Sequence, residues 1–118
     1  MRDREIADYL QDIIDSINDI GDFIEGMTLG DFKGDKKTIN AVLRSIEVIG
    51  EASRNIPEEI RSRYPQVPWR KMTGMRDKLI HEYHGVDIDT VWKTLNEDIP
   101  PLADRIQEII DKEGNDEE

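Results

Sequence analysis

No cysteine occurs among the 118 residues, so a disulfide framework, a thiolate metal site and a cysteine nucleophile are all excluded. Apolar runs never exceed two or three residues, and the opening Met1-Arg2-Asp3-Arg4-Glu5 has none of the apolar core of a secretory leader. Neither membrane insertion nor secretion is expected, and the chain reads as soluble and cytoplasmic. Positive charge is scarce: 16 Lys and Arg stand against 27 Asp and Glu, leaving −11. That balance argues against a protein that coats nucleic acid or anionic membrane with its whole surface, while a local basic face remains open. Strand periodicity, internal repeats and linkers are missing too, which leaves an all-α bundle in a single domain. A chain of this size buries roughly two-thirds of the surface its unfolded form exposes, so an active site here is expected to be shallow or shared between subunits.

What is present is helical periodicity. Ile6, Leu10, Ile13, Ile17, Ile20 and Ile24 alternate at spacings of four and three, predicting an amphipathic helix from about Arg4 to Glu25. The same helix carries Asp8, Asp12, Asp15, Asp19 and Asp22 at that alternation, each neighbouring pair costing about 0.2–0.5 kcal/mol. This stripe reads as a solvated face or as a docking surface for a basic partner. A loop holding Phe32 and Gly34 follows, and Asp35 then caps a helix reaching about Asn55, with Ile39, Val42, Leu43, Ile46, Ile49 and Ser53 turned inward. Gly50, Ala52 and Ser53 suggest close approach of another backbone. Pro57 opens a short helix ending near Tyr64, and Pro68 opens another that carries Trp69, Met72, Met75 or Arg76, and Leu79 on one face and reaches at least His81. Asp87 caps the last helical region, whose apolar spacing from Trp92 to Ile109 survives Pro100-Pro101 and predicts one kinked helix or two nearly collinear ones. About five helices result, forming one domain over residues 1–112, with an acidic flexible tail over 113–118.

Charge is distributed unevenly. Between Arg54 and Lys78 seven basic residues outnumber three acids, a local +4 that leaves −15 for the rest. This is the stretch best suited to phosphate, although its cations could equally balance acids on neighbouring helices. Arg70, Lys71 and Lys78 are its candidate phosphate contacts. Within it, Arg76-Asp77-Lys78-Leu79-Ile80-His81-Glu82-Tyr83 brings together a permanent cation, a group titrating near neutrality and a phenol. On an ideal helix Arg76 and Tyr83 share a face, but His81 lies about 140° from Arg76. Convergence therefore needs the helix to end near His81 or a second subunit to complete the site. Asp77 and His81, four apart, could hydrogen-bond and orient the imidazole. His81 and His84 are three apart rather than the four that a Glu-containing zinc helix requires, so no metal site is assigned.

The strings Arg44-Ser-Ile-Glu-Val-Ile-Gly-Glu-Ala52 and Pro68-Trp-Arg-Lys-Met-Thr-Gly-Met-Arg-Asp-Lys-Leu-Ile-His-Glu-Tyr-His-Gly-Val-Asp87 closely resemble the HepT family of HEPN-domain proteins. The resemblance covers nearly the whole chain, with the motifs in the expected order. It implies a HEPN-type bundle working as a homodimer and acting as the toxin of a toxin–antitoxin pair. The implied activity is a metal-independent endoribonuclease needing no cofactor, its composite site formed where two subunits meet. Arg76 and His81 would be catalytic, Asp77 supporting. The implied antitoxin is a small nucleotidyltransferase using ATP and Mg to transfer AMP to Tyr83. A non-catalytic HEPN module binding nucleotide or that partner is the alternative.

Overall fold

The computed structural model describes the backbone of residues 4–85 and 87–115, and side chains within it other than those of residues 4, 76, 80–85 and 115. Every element among the described residues is helical: α1 (Arg4–Ile24), α2 (Leu29–Lys33), α3 (Lys36–Arg54), α4 (Glu58–Arg63), α5 (Trp69–Gly85), α6 (Ile88–Lys93), a π turn (Thr94–Asp98) and α7 (Pro100–Asn115).

The four long helices form the frame. α1 packs on α3 and α7, and α3 packs on α5. The seam of α1 is buried from Leu10 through Ile24, and Ile14, outside the expected spacing, joins it. Its aspartates all face solvent, so the penalty of aligned like charge is screened by water while the isoleucines hold the helix down. All six residues expected on the inner side of α3 are buried, Val42, Ile46, Ile49 and Ser53 completely. Fully burying a side chain of this size contributes about 1.5–3 kcal/mol, so the α1–α3 seam is the main source of cohesion.

The segment expected to be a loop around Phe32 is instead the short helix α2. Its start is a reciprocal cap: the Asp31 amide donates to Thr28 Oγ1 at 3.1 Å, and the Thr28 amide donates to Asp31 Oδ2 at 3.0 Å. The turn drives Phe32 into full burial, with its ring centroid 5.1 Å from that of Trp92, and Lys33 reaches Asp89 at 2.9 Å. α2 thereby ties α3 to α6.

Asp35 caps α3 as expected. Its carboxylate accepts from the Thr38 amide at 3.0 Å and from the Thr38 hydroxyl at 2.8 Å, and these bonds to the charged form hold its pKa below the ordinary value. Asp87 caps α6 through Thr90 in the same way.

Apolar register does continue through Pro100-Pro101, by way of a π turn. The two prolines cannot donate to the carbonyls of Asn96 and Glu97, so an unbroken α-helix is impossible there. The Ile99 amide reaches back five residues to the Thr94 carbonyl at 3.1 Å, and Asn96 Nδ2 takes the Trp92 carbonyl at 2.8 Å. Leu95, Ile99, Leu102, Ile106 and Ile109 then stay on one buried side.

The expected boundary at residue 113 falls inside a helix. α7 runs on to Asn115, and Glu113 is buried, its side chain only 8% exposed.

Candidate functional site

α5 is the most polar of the four long helices. Trp69, Met72 and Leu79 are buried, whereas Arg70, Lys71, Gly74, Asp77 and Lys78 are exposed. The helix starts where it does because its entry is pinned from two directions. The Trp69 indole donates to the Tyr64 carbonyl at 3.1 Å, and the Pro68 carbonyl receives the Met72 amide at 3.0 Å. From α7, Arg105 Nη1 donates to the Gln66 carbonyl at 3.0 Å.

Glu113 supplies the other fixing point. It accepts from the Tyr64 hydroxyl at 2.6 Å and from Arg63 Nη1 at 2.7 Å. Burial alone pushes the Glu113 carboxyl up, but the bonds from Tyr64 and Arg63 and the Arg63 charge outweigh it and leave its pKa below the ordinary value. The bond to Glu113 in turn raises Arg63.

Of the residues singled out from sequence, Arg76, His81 and Tyr83 take their places on α5, and their side chains lie outside the described residues. α5 does not end near His81; it continues to Gly85. On an unbroken helix Arg76 and Tyr83 are about 20° apart in azimuth, while His81 stays about 140° from Arg76. One of the two routes to convergence is thereby closed within a single copy. Asp77 is exposed, four positions before His81 on the same continuous helix.

The basic stretch separates into two groups. Arg54 pairs with Glu51 at 3.6 Å, Arg61 with Glu58 at 3.4 Å and Arg63 with Glu59 at 3.2 Å, all acids one turn earlier. Arg70, Lys71 and Lys78 have no ion-pair partner among the described residues, so the uncompensated charge is concentrated on α5. Sequence reasoning missed Arg105, a cation of the mainly acidic α7, which shares a groove with Lys71 and Lys78. No group of three or more His, Asp or Glu side chains is gathered for a metal among the described residues, and no helix there is long and apolar enough to cross a membrane.

An all-α bundle whose α5 carries an Arg-x4-His-x-Tyr sequence defines a class, and comparison with known proteins gives it a family. Residues 13–109 match the family described as "Ribonuclease HepT-like". A protein of Thermococcus cleftensis named as a probable ribonuclease HepT is 48% identical over 106 residues, covering 90% of this chain and 96% of that protein. A Methanocaldococcus jannaschii protein provisionally named an RNase is 46% identical over 118 residues, covering 99% and 98%. Another protein so named, from Caldanaerobacter subterraneus, is 41% identical over 105 residues, covering 89% and 94%. Among solved structures none matches the chain significantly. The chain belongs to the HepT-like ribonuclease family.

Proposed function

We propose that this protein is an endoribonuclease, the toxin of a toxin–antitoxin pair, cutting RNA at a site completed by two copies of the chain. The observation that carries this reading is the unbroken α5, which separates Arg76 from His81 in azimuth on a helix whose Arg70, Lys71 and Lys78 have no ion-pair partner among the described residues.

In the proposed reaction, neutral His81 takes the proton of a ribose 2′-hydroxyl as that oxygen attacks the adjacent phosphorus. Arg76 from the facing copy holds the phosphoryl oxygens as negative charge gathers on them. The bond from phosphorus to the 5′ oxygen breaks, and the proton returns to that oxygen. The products are a 2′,3′-cyclic phosphate and a free 5′-hydroxyl. DNA lacks the attacking group and is inert. The chemistry calls on no cofactor. Asp77 orients His81 through the i to i+4 relation.

Tyr83 is the proposed acceptor of AMP from a nucleotidyltransferase antitoxin that uses ATP and Mg. An added adenylyl group would set a phosphodiester anion beside the groups that RNA needs, which silences the enzyme. The proposed location is the cytoplasm, where both partners and RNA are found.

The test is digestion of total cellular RNA by the purified dimer in EDTA, beside His81→Ala and Arg76→Ala variants with intact helical spectra. Cleavage lost in both variants supports the reading. No cleavage by unmodified, dimeric wild type overturns it in favour of a non-catalytic module that binds nucleotide or the nucleotidyltransferase.

A further inference from the structure

A groove of about 620 Å³ lies between α5, the π turn and α7. Its volume is in the range that holds a small ligand, about 300–1,000 Å³. One wall carries Lys71 and Lys78, seven positions apart on α5, with Arg105 across from α7. The floor is apolar, made by Met72, Met75, Leu79 and Leu102. The opposite wall is the π turn, which presents Thr94, Glu97 and Asp98. Neither carboxylate has an ion-pair or hydrogen-bond partner among the described residues.

This pattern is selective about its occupant. Three cations with no ion-pair partner among the described residues stand out in a chain of net charge −11, and they suit an anion. Two carboxylates facing them disfavour a bare polyanion or an anionic lipid. A nucleotide meets both demands, having a phosphate at one end, hydrogen-bond donors on its base edge at the other, and a flat ring to lie on an apolar floor. The groove also leads toward the catalytic motif. The α5 positions lining it, 71, 74, 75 and 78, follow a helical stripe whose next positions are His81 and Glu82, His81 about 4.5 Å farther along the axis from Lys78.

We propose that this groove is a specificity subsite holding one ribonucleotide of the RNA substrate beside the scissile linkage. Its phosphate lies among Lys71, Lys78 and Arg105, and its base edge faces Glu97 and Asp98. Guanine is the favoured base, because its adjacent ring N–H and amino group match the two oxygens of a carboxylate, whereas uracil offers a single donor. The assignment rests on the ribonuclease reading, and it concerns binding rather than bond cleavage.

Gly74 provides the decisive variant. A Cβ added there meets no atom within 4 Å, so Gly74→Leu extends into the groove from a helix it does not disturb. Short 2′-O-methyl RNA oligonucleotides, which cannot be cleaved, are titrated against wild type, Gly74→Leu, the double variant Lys71→Glu/Lys78→Glu and the double variant Glu97→Gln/Asp98→Asn. Binding is followed by fluorescence anisotropy and mass by size exclusion. The first two variants are expected to weaken binding by about tenfold or more, and the last to erase a preference for G over U. If Gly74→Leu fails to fold, the charge reversal at two exposed positions reads out the same site.

Unchanged affinity in the folded variants overturns the subsite, as does a change of oligomeric mass with RNA affinity preserved, which makes the groove a protein interface. Cleavage of cellular RNA that survives with unchanged oligonucleotide affinity overturns the subsite and leaves the nuclease standing. Groove-dependent binding by a protein that cuts nothing does the reverse.

Discussion

The Tyr64 hydroxyl donates a 2.6 Å hydrogen bond to Glu113, joining two residues 49 positions apart in sequence. Tyr64 also gives its carbonyl to the Trp69 indole, so the first turn of the motif-bearing helix is held by the last turns of α7 through a single residue. The buried Glu113 carboxylate is satisfied only while both Tyr64 and Arg63 remain in place.

Removal of this acid should therefore be felt at α5. Glu113→Ala leaves a buried phenol without its acceptor, and a loss of about 1–3 kcal/mol in urea unfolding is expected. Because the folded carboxyl titrates below its unfolded value, its contribution is fully present above the unfolded pKa, about 4.5, and disappears as pH falls through the folded pKa. Wild-type stability measured from pH 7 down to pH 3 should thus decline more steeply than that of Glu113→Gln. Parallel curves would show that the carboxylate contributes nothing.

The cap of α3 obeys the same sign. Asp35→Ala removes the acceptor for both the Thr38 amide and its hydroxyl, and should cost about 1 kcal/mol. Asp35→Asn retains an acceptor and should recover most of it, which denaturant melts of the three proteins would check.

Sequence periodicity made the long helices legible because each buries a stripe, and a stripe repeats at a fixed interval whatever it packs against. Asp35 and Asp87 were legible as caps because capping is local, bridging three residues. α2 was not recognised, although Thr28 and Asp31 hold the capping-box spacing; aspartate in place of the usual Glu or Gln, and a helix of only five residues, weakened the signal. Glu113 read as part of a frayed acidic end, since nothing around it reports partners some 50 residues away. In the basic stretch, the glutamates one turn before Arg54, Arg61 and Arg63 already foreshadowed their pairing. Arg105 and the π-turn carboxylates had no such cue, because their shared groove exists only once the fold sets the π turn and α7 across from α5. The motif itself was visible as a pattern, and the continuity of α5 past His81 became visible only in the fold.

Two glycines with equally open surroundings should respond in opposite directions. Gly21 lies inside α1 and Gly26 just beyond it, and a Cβ at either meets nothing within 4 Å. Gly21→Ala gains helix propensity and should stabilise by about 0.5–1 kcal/mol. Gly26 sits at φ 75°, where an L side chain is strained, so Gly26→Ala should destabilise by about 1–2 kcal/mol. Thermal melts of both variants decide the matter, and a stabilising Gly26→Ala would mean that the turn relaxes out of the left-handed region.

A shared site makes a stronger prediction than loss of function in single variants. If Arg76 of one copy works with His81 of the other, a dimer of one Arg76→Ala chain and one His81→Ala chain has one site with both groups intact and one with neither. Homodimers of either variant have no complete site. Equal mixing with random exchange makes half of the dimers mixed, each with half its sites intact, so about a quarter of wild-type cleavage should return. A site contained within one copy predicts none, because every chain in the mixture lacks one of the two groups. Unfolding and refolding the variants together, then assaying RNA cleavage against each alone, separates the two arrangements. The outcome bears directly on α5: in the proposed reading the unbroken helix, which keeps His81 about 140° away from Arg76, leaves convergence to a second copy, and complementation at a quarter of the wild-type rate is the kinetic form of that proposal.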